Sequence, residues 1–184
     1  FTTSIKRNNK TIRPYSSADE NIAFRGIATQ INPTEHVQTN LMLSKTHIDG
    51  NLIFDGDEQV AFSSFQRSGL HRSENELIDK NAIDKSVVAA NTKYADSRGN
   101  SIGVNGIYNH YSLPLNRSDQ LYNALRFEGQ DIWNVSTDFN YFYNSINLFG
   151  ELAYSAHGGW ARTLNAVTSL DPKLDLAINY RDFD

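Results

Sequence analysis

The chain contains no cysteine, a single methionine, four prolines and two tryptophans among its 184 residues. Without cysteine there are no disulfides, no thiolate metal sites and no thiol redox chemistry. Long apolar runs are also missing. No stretch approaches the ~18 consecutive apolar residues of a spanning helix, and the mean hydropathy is −0.51. Spanning strands are not excluded by this, because only every second residue of a barrel strand must be apolar. A basic excess is absent too. The 17 Lys and Arg are scattered and outnumbered by 21 Asp and Glu, so this segment has no electrostatic footprint for nucleic acid. The opening Phe1-Thr-Thr-Ser-Ile-Lys-Arg7 lacks the apolar core of a secretory leader, and an exported protein would carry its leader ahead of it.

What the sequence does have is alternation at period two. Residues 132–183 read as four segments in which apolar and polar residues alternate between tight turn residues. Trp133, Val135, Phe139, Tyr141 and Tyr143 share one face, and Asn134, Ser136, Asp138 and Asn140 share the other. This is the pattern of strands with one apolar and one wet surface.

The same pattern extends toward the start of the chain. Strands are expected at 23–31, 36–46, 85–95 and 101–111, giving about eight with the four above. Residues 1–22 read as loop, and Asn32-Pro33-Thr34-Glu35 as a turn. Residues 47–84 form a long interruption that holds a candidate extra hairpin at 51–66. Ser73-Glu74-Asn75-Glu76 resembles a capping box opening a short helix. A second long loop covers 112–131. Short connections fall at 32–35, 96–100, 144–145 and 171–173, and long ones at 47–84 and 112–131, with 156–160 the exception at the long-loop end. In an antiparallel sheet every second connection lies at the same end. Short turns at one end with long loops at the other is the outer-membrane arrangement, turns periplasmic and loops extracellular.

Composition separates a membrane barrel from a soluble one. Tyr108, Trp133, Tyr154, Trp160 and Tyr180 fall near the loop ends of their strands, and Tyr94, Tyr141 and Tyr143 near the turn ends, all in the apolar register. Two aromatic rows with smaller apolar residues between them match interfacial girdles. The other face carries Asn91 and Asn105 as well as Asn134, Asn140, Asn147, Asn165 and Asn179, and the last five are taken with the charges Lys93, Asp138, Glu151, Asp175 and Arg181. These ten are the candidate lumen-facing residues. The plain reading of the charges is that they pair with one another and hold the wall; the sharper one is that they set the selectivity of a pore. Arg25, Lys45 and Arg162 lie in the apolar register near strand ends, where long cations snorkel to headgroups, and they are the candidate lipid-phosphate contacts.

Catalytic and metal-binding patterns are not found. The five histidines form no H-x-x-x-H pair. Ser73, His71 and Asp79 can be drawn as a triad, but a helix start accounts for them. Asp55-Gly-Asp-Glu58 lacks the ligand spacing of a calcium loop. No enzyme activity, cofactor or metal is expected.

Three segments carry a resemblance: Ile12-Arg-Pro-Tyr-Ser-Ser-Ala-Asp-Glu-Asn-Ile-Ala-Phe-Arg-Gly26, Ser68-Gly-Leu-His-Arg-Ser-Glu-Asn-Glu-Leu-Ile-Asp-Lys-Asn81, and Leu148-Phe-Gly-Glu-Leu-Ala153 with Gly158-Gly159 and Ser169-Leu-Asp-Pro-Lys-Leu-Asp-Leu176. In these the chain resembles the outer-membrane β-barrel proteins of Bacteroidota whose precursors carry a helix-hairpin-helix segment before the barrel. The resemblance implies an interior part of a larger barrel, with 1–184 as one domain, and no catalytic residues. The expected fold is therefore all-β, an antiparallel up-and-down transmembrane β-barrel in the bacterial outer membrane. Its expected role is transport or structure. The alternative is a non-catalytic scaffold or interaction subunit of a secretion, assembly or uptake complex. The expected partners are outer-membrane lipid, lipopolysaccharide included, and other outer-membrane or periplasmic proteins met through the loops.

Overall fold

A computed structural model of the chain describes residues 24–66, 69–116, 127–156 and 158–183. The expected loop at 1–22, most of the 12–26 segment, Ser68, residues 117–126 and His157 lie outside them. The strands are β1 (Gly26–Thr34), β2 (Val37–Ile48), β3 (Gly50–Asp55), β4 (Glu58–Phe65), β5 (Ile83–Ala95), β6 (Ser101–Leu115), β7 (Gly129–Tyr143), β8 (Ile146–Ser155), β9 (Trp160–Asp171) and β10 (Leu174–Phe183). One short helix, α1 (Glu74–Ile78), precedes β5.

Eight strands lie side by side in the order β1-β2-β5-β6-β7-β8-β9-β10, each antiparallel to the next. The sheet is open: β1 and β10 are not joined to each other. Its short turns sit together at one end. At Asn144-Ser145 the backbone takes φ 52° at Asn144, a left-handed conformation that asparagine tolerates. At 96–100 the Asp96 carboxylate accepts from the Arg98 N–H (2.9 Å), the Asn100 N–H (2.8 Å) and Asn100 Nδ2 (2.7 Å), while Gly99 supplies φ 85°. These bonds, the Asn100 side chain foremost, hold the Asp96 carboxyl below its usual range.

Strand boundaries depart from the sequence pattern at several places, with β5 starting at Ile83 and β7 at Gly129, inside the expected 112–131 loop. β1 runs on through Pro33 to Thr34, so the turn is Glu35-His36 and not 32–35. Proline is tolerated because β1 is an edge strand and the pairing slips between Ile31 and Thr34. β2 and β6 are longer than expected, reaching Ile48 and Leu115. The interruption at 47–84 contains β3, β4 and α1, and the capping box at Ser73 and Glu76 forms.

The β3–β4 hairpin folds over the loop end of the sheet. Phe62 is fully buried with Ile83, Tyr111 and Leu115, and Ile48, Leu52, Phe65 and Ile132 pack around them. Phe62 also forms a parallel bridge with Leu115, and its carbonyl accepts from the Asn116 N–H at 2.9 Å. Two buried carboxylates secure the foot of the hairpin. Asp79 accepts from the Leu52 N–H (3.1 Å) and Gln66 Nε2 (2.6 Å); Asp49 accepts from the Asn81 N–H (2.9 Å) and faces His71 Nε2 at 2.8 Å.

Two outcomes follow from these contacts. Phe62→Ala is expected to cost about 3–5 kcal/mol of hairpin docking, read as faster hydrogen exchange at 50–65 with β5 and β6 still protected; loss of protection throughout the sheet would contradict the local role. The folded Asp96 carboxyl sits below its unfolded value of 3.8. Its contribution is therefore whole above that pH and is lost as pH falls through the lower folded value. Protection of the Arg98 and Asn100 amides, relative to their intrinsic exchange at each pH, is expected to fall over that acid window and to stay constant near neutrality.

Candidate functional site

The unbroken pairing gives the sheet two chemically distinct faces. On one lie Ile27 and Ile31 (β1), Val37, Leu41 and Leu43 (β2), Val88 and Tyr94 (β5), and Ile102, Val104 and Tyr108 (β6). The same face continues through Trp133, Val135, Phe139, Tyr141 and Tyr143 (β7), Leu148, Leu152 and Tyr154 (β8), Trp160 and Leu164 (β9), and Ile178 and Tyr180 (β10). All eight expected interface aromatics share this face.

On the central strands the apolar face is the more exposed one, whereas β1 and almost all of β10 are exposed on both faces. Along β2, residues 41, 43, 45 and 47 are exposed, whereas 42, 44, 46 and 48 are half-buried. Val104 is 60% exposed, whereas Asn40, on the other face, is fully buried. A flat sheet would shelter neither side. Along β2 the asymmetry is what a sheet concave on its polar side would give, the reverse of a water-soluble sheet.

Near the loop end the outer face changes from apolar to charged. Trp133, Tyr154 and Trp160 stack in a row, with ring centroids 5.8 and 4.7 Å apart. Beyond them are the directly opposed pairs His47–Asp84 at 2.5 Å and His110–Asp131 at 2.8 Å, while Arg162–Asp182 at 3.8 Å lies one pleat to the turn side of Trp160. The Tyr108 hydroxyl donates to Asp131 at 2.5 Å. Arg162, read from sequence as a phosphate contact, thus has a carboxylate partner. Lys45 shares its face with His47, one turn of the pleat away. Arg25 lines a small polar cleft with Asp49, Gln66 and Asn81 at the foot of the hairpin.

The inner face carries all ten polar candidates: Lys93, Asn134, Asp138, Asn140, Asn147, Glu151, Asn165, Asp175, Asn179 and Arg181. Its central feature is a chain of side-chain amides. Gln38 Nε2 donates to Asn40 at 3.4 Å, Asn40 Nδ2 to Asn91 at 3.0 Å, and Asn91 Nδ2 to Asn105 at 2.5 Å. Asn105 Nδ2 then donates to Ser136 Oγ and Asp138 Oδ1, both at 3.0 Å. Asn40, Asn91, Asn105 and Ser136 are directly opposed residues of β2, β5, β6 and β7, and this places them within reach of one another. On the far side Asn179 donates to Asn165, whose own amide reaches the Phe149 carbonyl at 3.3 Å.

The sequence pattern singled out the charges of this face but not Asn40, Asn91 and Asn105 as a unit. Their common level depends on turn lengths, which alternation alone does not supply. The drawn triad does not assemble. His71 faces Asp49, Asp79 is held by Leu52 and Gln66, and the Ser73 hydroxyl accepts from the Glu76 N–H as the helix cap. Among the described residues no cluster of three or more His, Asp or Glu is placed to hold a metal ion.

Compared with protein-family models, with curated proteins and with solved structures, the chain matches none.

Asn91→Ala leaves the Asn40 donor and the Asn105 acceptor without their partner and is expected to destabilise the sheet by about 1–3 kcal/mol. Thr29→Ala on the apolar face of β1 is expected to stay within about 0.5 kcal/mol. Urea titrations of the two variants check the difference, and equal midpoints would remove the amide chain from the account of stability.

Proposed function

We propose that this chain forms wall of a transmembrane β-barrel of the bacterial outer membrane, with a transport or structural role. The observation that carries the reading is the two-faced sheet: apolar side chains with aromatic rows at both ends on one face, which is the more exposed on the central strands, and neutral polar side chains on the other. Water does not favour that arrangement, and hydrocarbon does. Short turns then lie on the periplasmic side and the β3–β4 hairpin on the extracellular side. The segments quoted above support placing the chain with the Bacteroidota helix-hairpin-helix-containing barrels. Lipid, lipopolysaccharide included, is the partner of the apolar face.

Hydrocarbon imposes a further requirement on the two edges. Each unsatisfied backbone group there costs several kcal/mol. The outer edges of β1 and β10 must therefore be paired, either with each other or with further strands. β1 runs toward the turn end and β10 away from it, so either solution preserves the antiparallel order.

A second reading draws on the hairpin. Its apolar core covers the extracellular end of the polar face, as expected of a closed barrel acting as an interaction subunit. Steady conductance in planar bilayers favours the transport role, and a silent, inserted barrel favours the scaffold.

Insertion itself has a direct check. Trp133 and Trp160 fluorescence is expected to be quenched by lipids brominated on the acyl chain. Val104→Arg on the apolar face is expected to cost about 2–4 kcal/mol of folding into bilayers, and Gln30→Arg on the polar face far less. Equal tolerance of the two, or unquenched tryptophans, would remove the membrane from the proposal.

A further inference from the structure

The polar face holds four charges in one cross-strand row, of which Asp138 is half-buried and the other three are exposed. Direct pairing runs Gln38, Lys93, Gly103, Asp138, Glu151, Thr163, Arg181 from β2 to β10. The row is therefore basic on β5, acidic on β7 and β8, and basic again on β10. Asp175, the remaining charge of this face named above, lies apart at the turn end, where its carboxylate accepts from the Ser169 hydroxyl.

Charges that serve only to hold a wall pair with opposite charges, and these do not. Among the described residues none of the four makes an ion pair. Asp138 and Glu151 instead face each other directly, an arrangement that destabilises adjacent strands. The fold nevertheless makes specific room for it. A Cβ at position 103 would overlap the Asp138 carboxylate, so glycine there lets Asp138 lean across β6. The amide chain then fixes it: Asn105 Nδ2 donates to Asp138 Oδ1 at 3.0 Å, at the end of a run in which every amide donates in the same direction. A local rule broken at a position held this firmly marks function in place of stability.

The sign of the resulting field follows from spacing. Between strand positions Asp138 and Glu151 are about 5 Å apart; Asp138 leans over Gly103 toward Lys93, whereas Glu151 stands two strands from Arg181 and three from Lys93, roughly 10 Å or more. That distance is about one Debye length at 0.1 M salt. The flanking cations therefore bound the negative potential without cancelling it.

We infer that this row is the charge filter of the polar face, passing small hydrophilic cations in preference to anions, with Asp138 and Glu151 as its determinants and Asn105 as the residue that positions Asp138. The inference rests on the proposal that the chain forms the wall of a pore.

Reversal potentials of the full-length protein in planar bilayers, under a potassium chloride gradient, test it. The unmodified protein is expected to prefer potassium. Asp138→Asn with Glu151→Gln should move the reversal potential toward zero, and Lys93→Gln with Arg181→Gln should move it the opposite way. If the acidic double variant does not fold, Glu151→Gln alone, an exposed side chain, should give a smaller shift of the same sign. Open channels whose reversal potential is the same in every variant would overturn the filter and leave the pore standing. Absence of any conductance from the unmodified protein would overturn both.

Discussion

Everything in this sheet depends on register. From β1 to β10 the antiparallel pairing runs across eight strands, and its slips fall near strand ends: at Ile31/Thr34, His110/Leu115 and Leu174/Asp175. Side chains alternate at period two, so a slip of one residue in any central strand would send its apolar set to the polar side. The turns enforce the phase. Asn144-Ser145 and the Asp96-centred turn at 96–100 each satisfy their backbone locally and leave no slack for a shifted pairing. The tight packing of specific glycines adds to this. Gly150 lies under the Phe139 ring, with the nearest ring carbon 3.0 Å from where a Cβ would sit.

The two faces are stabilised by different physics. The apolar face has large side chains that bury little against each other, and its stability depends on the medium that meets it. The polar face relies on hydrogen bonds among small polar side chains, which cost little conformational entropy to order. The compact apolar core among the described residues is the one under the hairpin, where Phe62 meets Ile83, Tyr111 and Leu115. That core is small for a chain of this length and sits at one end. A water-soluble domain distributes its core under the whole sheet. The hairpin core and the rest of the sheet therefore rest on different contacts.

Much of the architecture is legible in the sequence because its signals are local. Alternation from Trp133 to Tyr143 needs no partner to be recognised, and neither do the capping box at Ser73 and Glu76 or the turns at Asn144 and Asp96. What is not legible depends on contacts distant in sequence. Residues 51–66 suggest a hairpin, but that it folds inward is decided by Phe62 reaching Tyr111 and Leu115. His71 has an acid eight residues away at Asp79, yet its partner is Asp49, because the hairpin foot brings that carboxylate to it. Pro33 marks a turn by its usual preference, and here an edge strand absorbs it. The charged row was visible as four residues on one face; that they share one level and do not pair emerges only when the register of six strand junctions is known.

The amide chain from Gln38 to Asp138 has a sense as well as a course. An asparagine flipped on its own would set donor against donor or acceptor against acceptor, so reversal is open only to the whole file together. The carboxylate at its end accepts and does not donate, which leaves one orientation for all of them. Ordinary sheets have little net dipole because neighbouring strands cancel. This one carries a frozen polarisation across its middle, at right angles to the strands, whose direction is remembered by a single side chain.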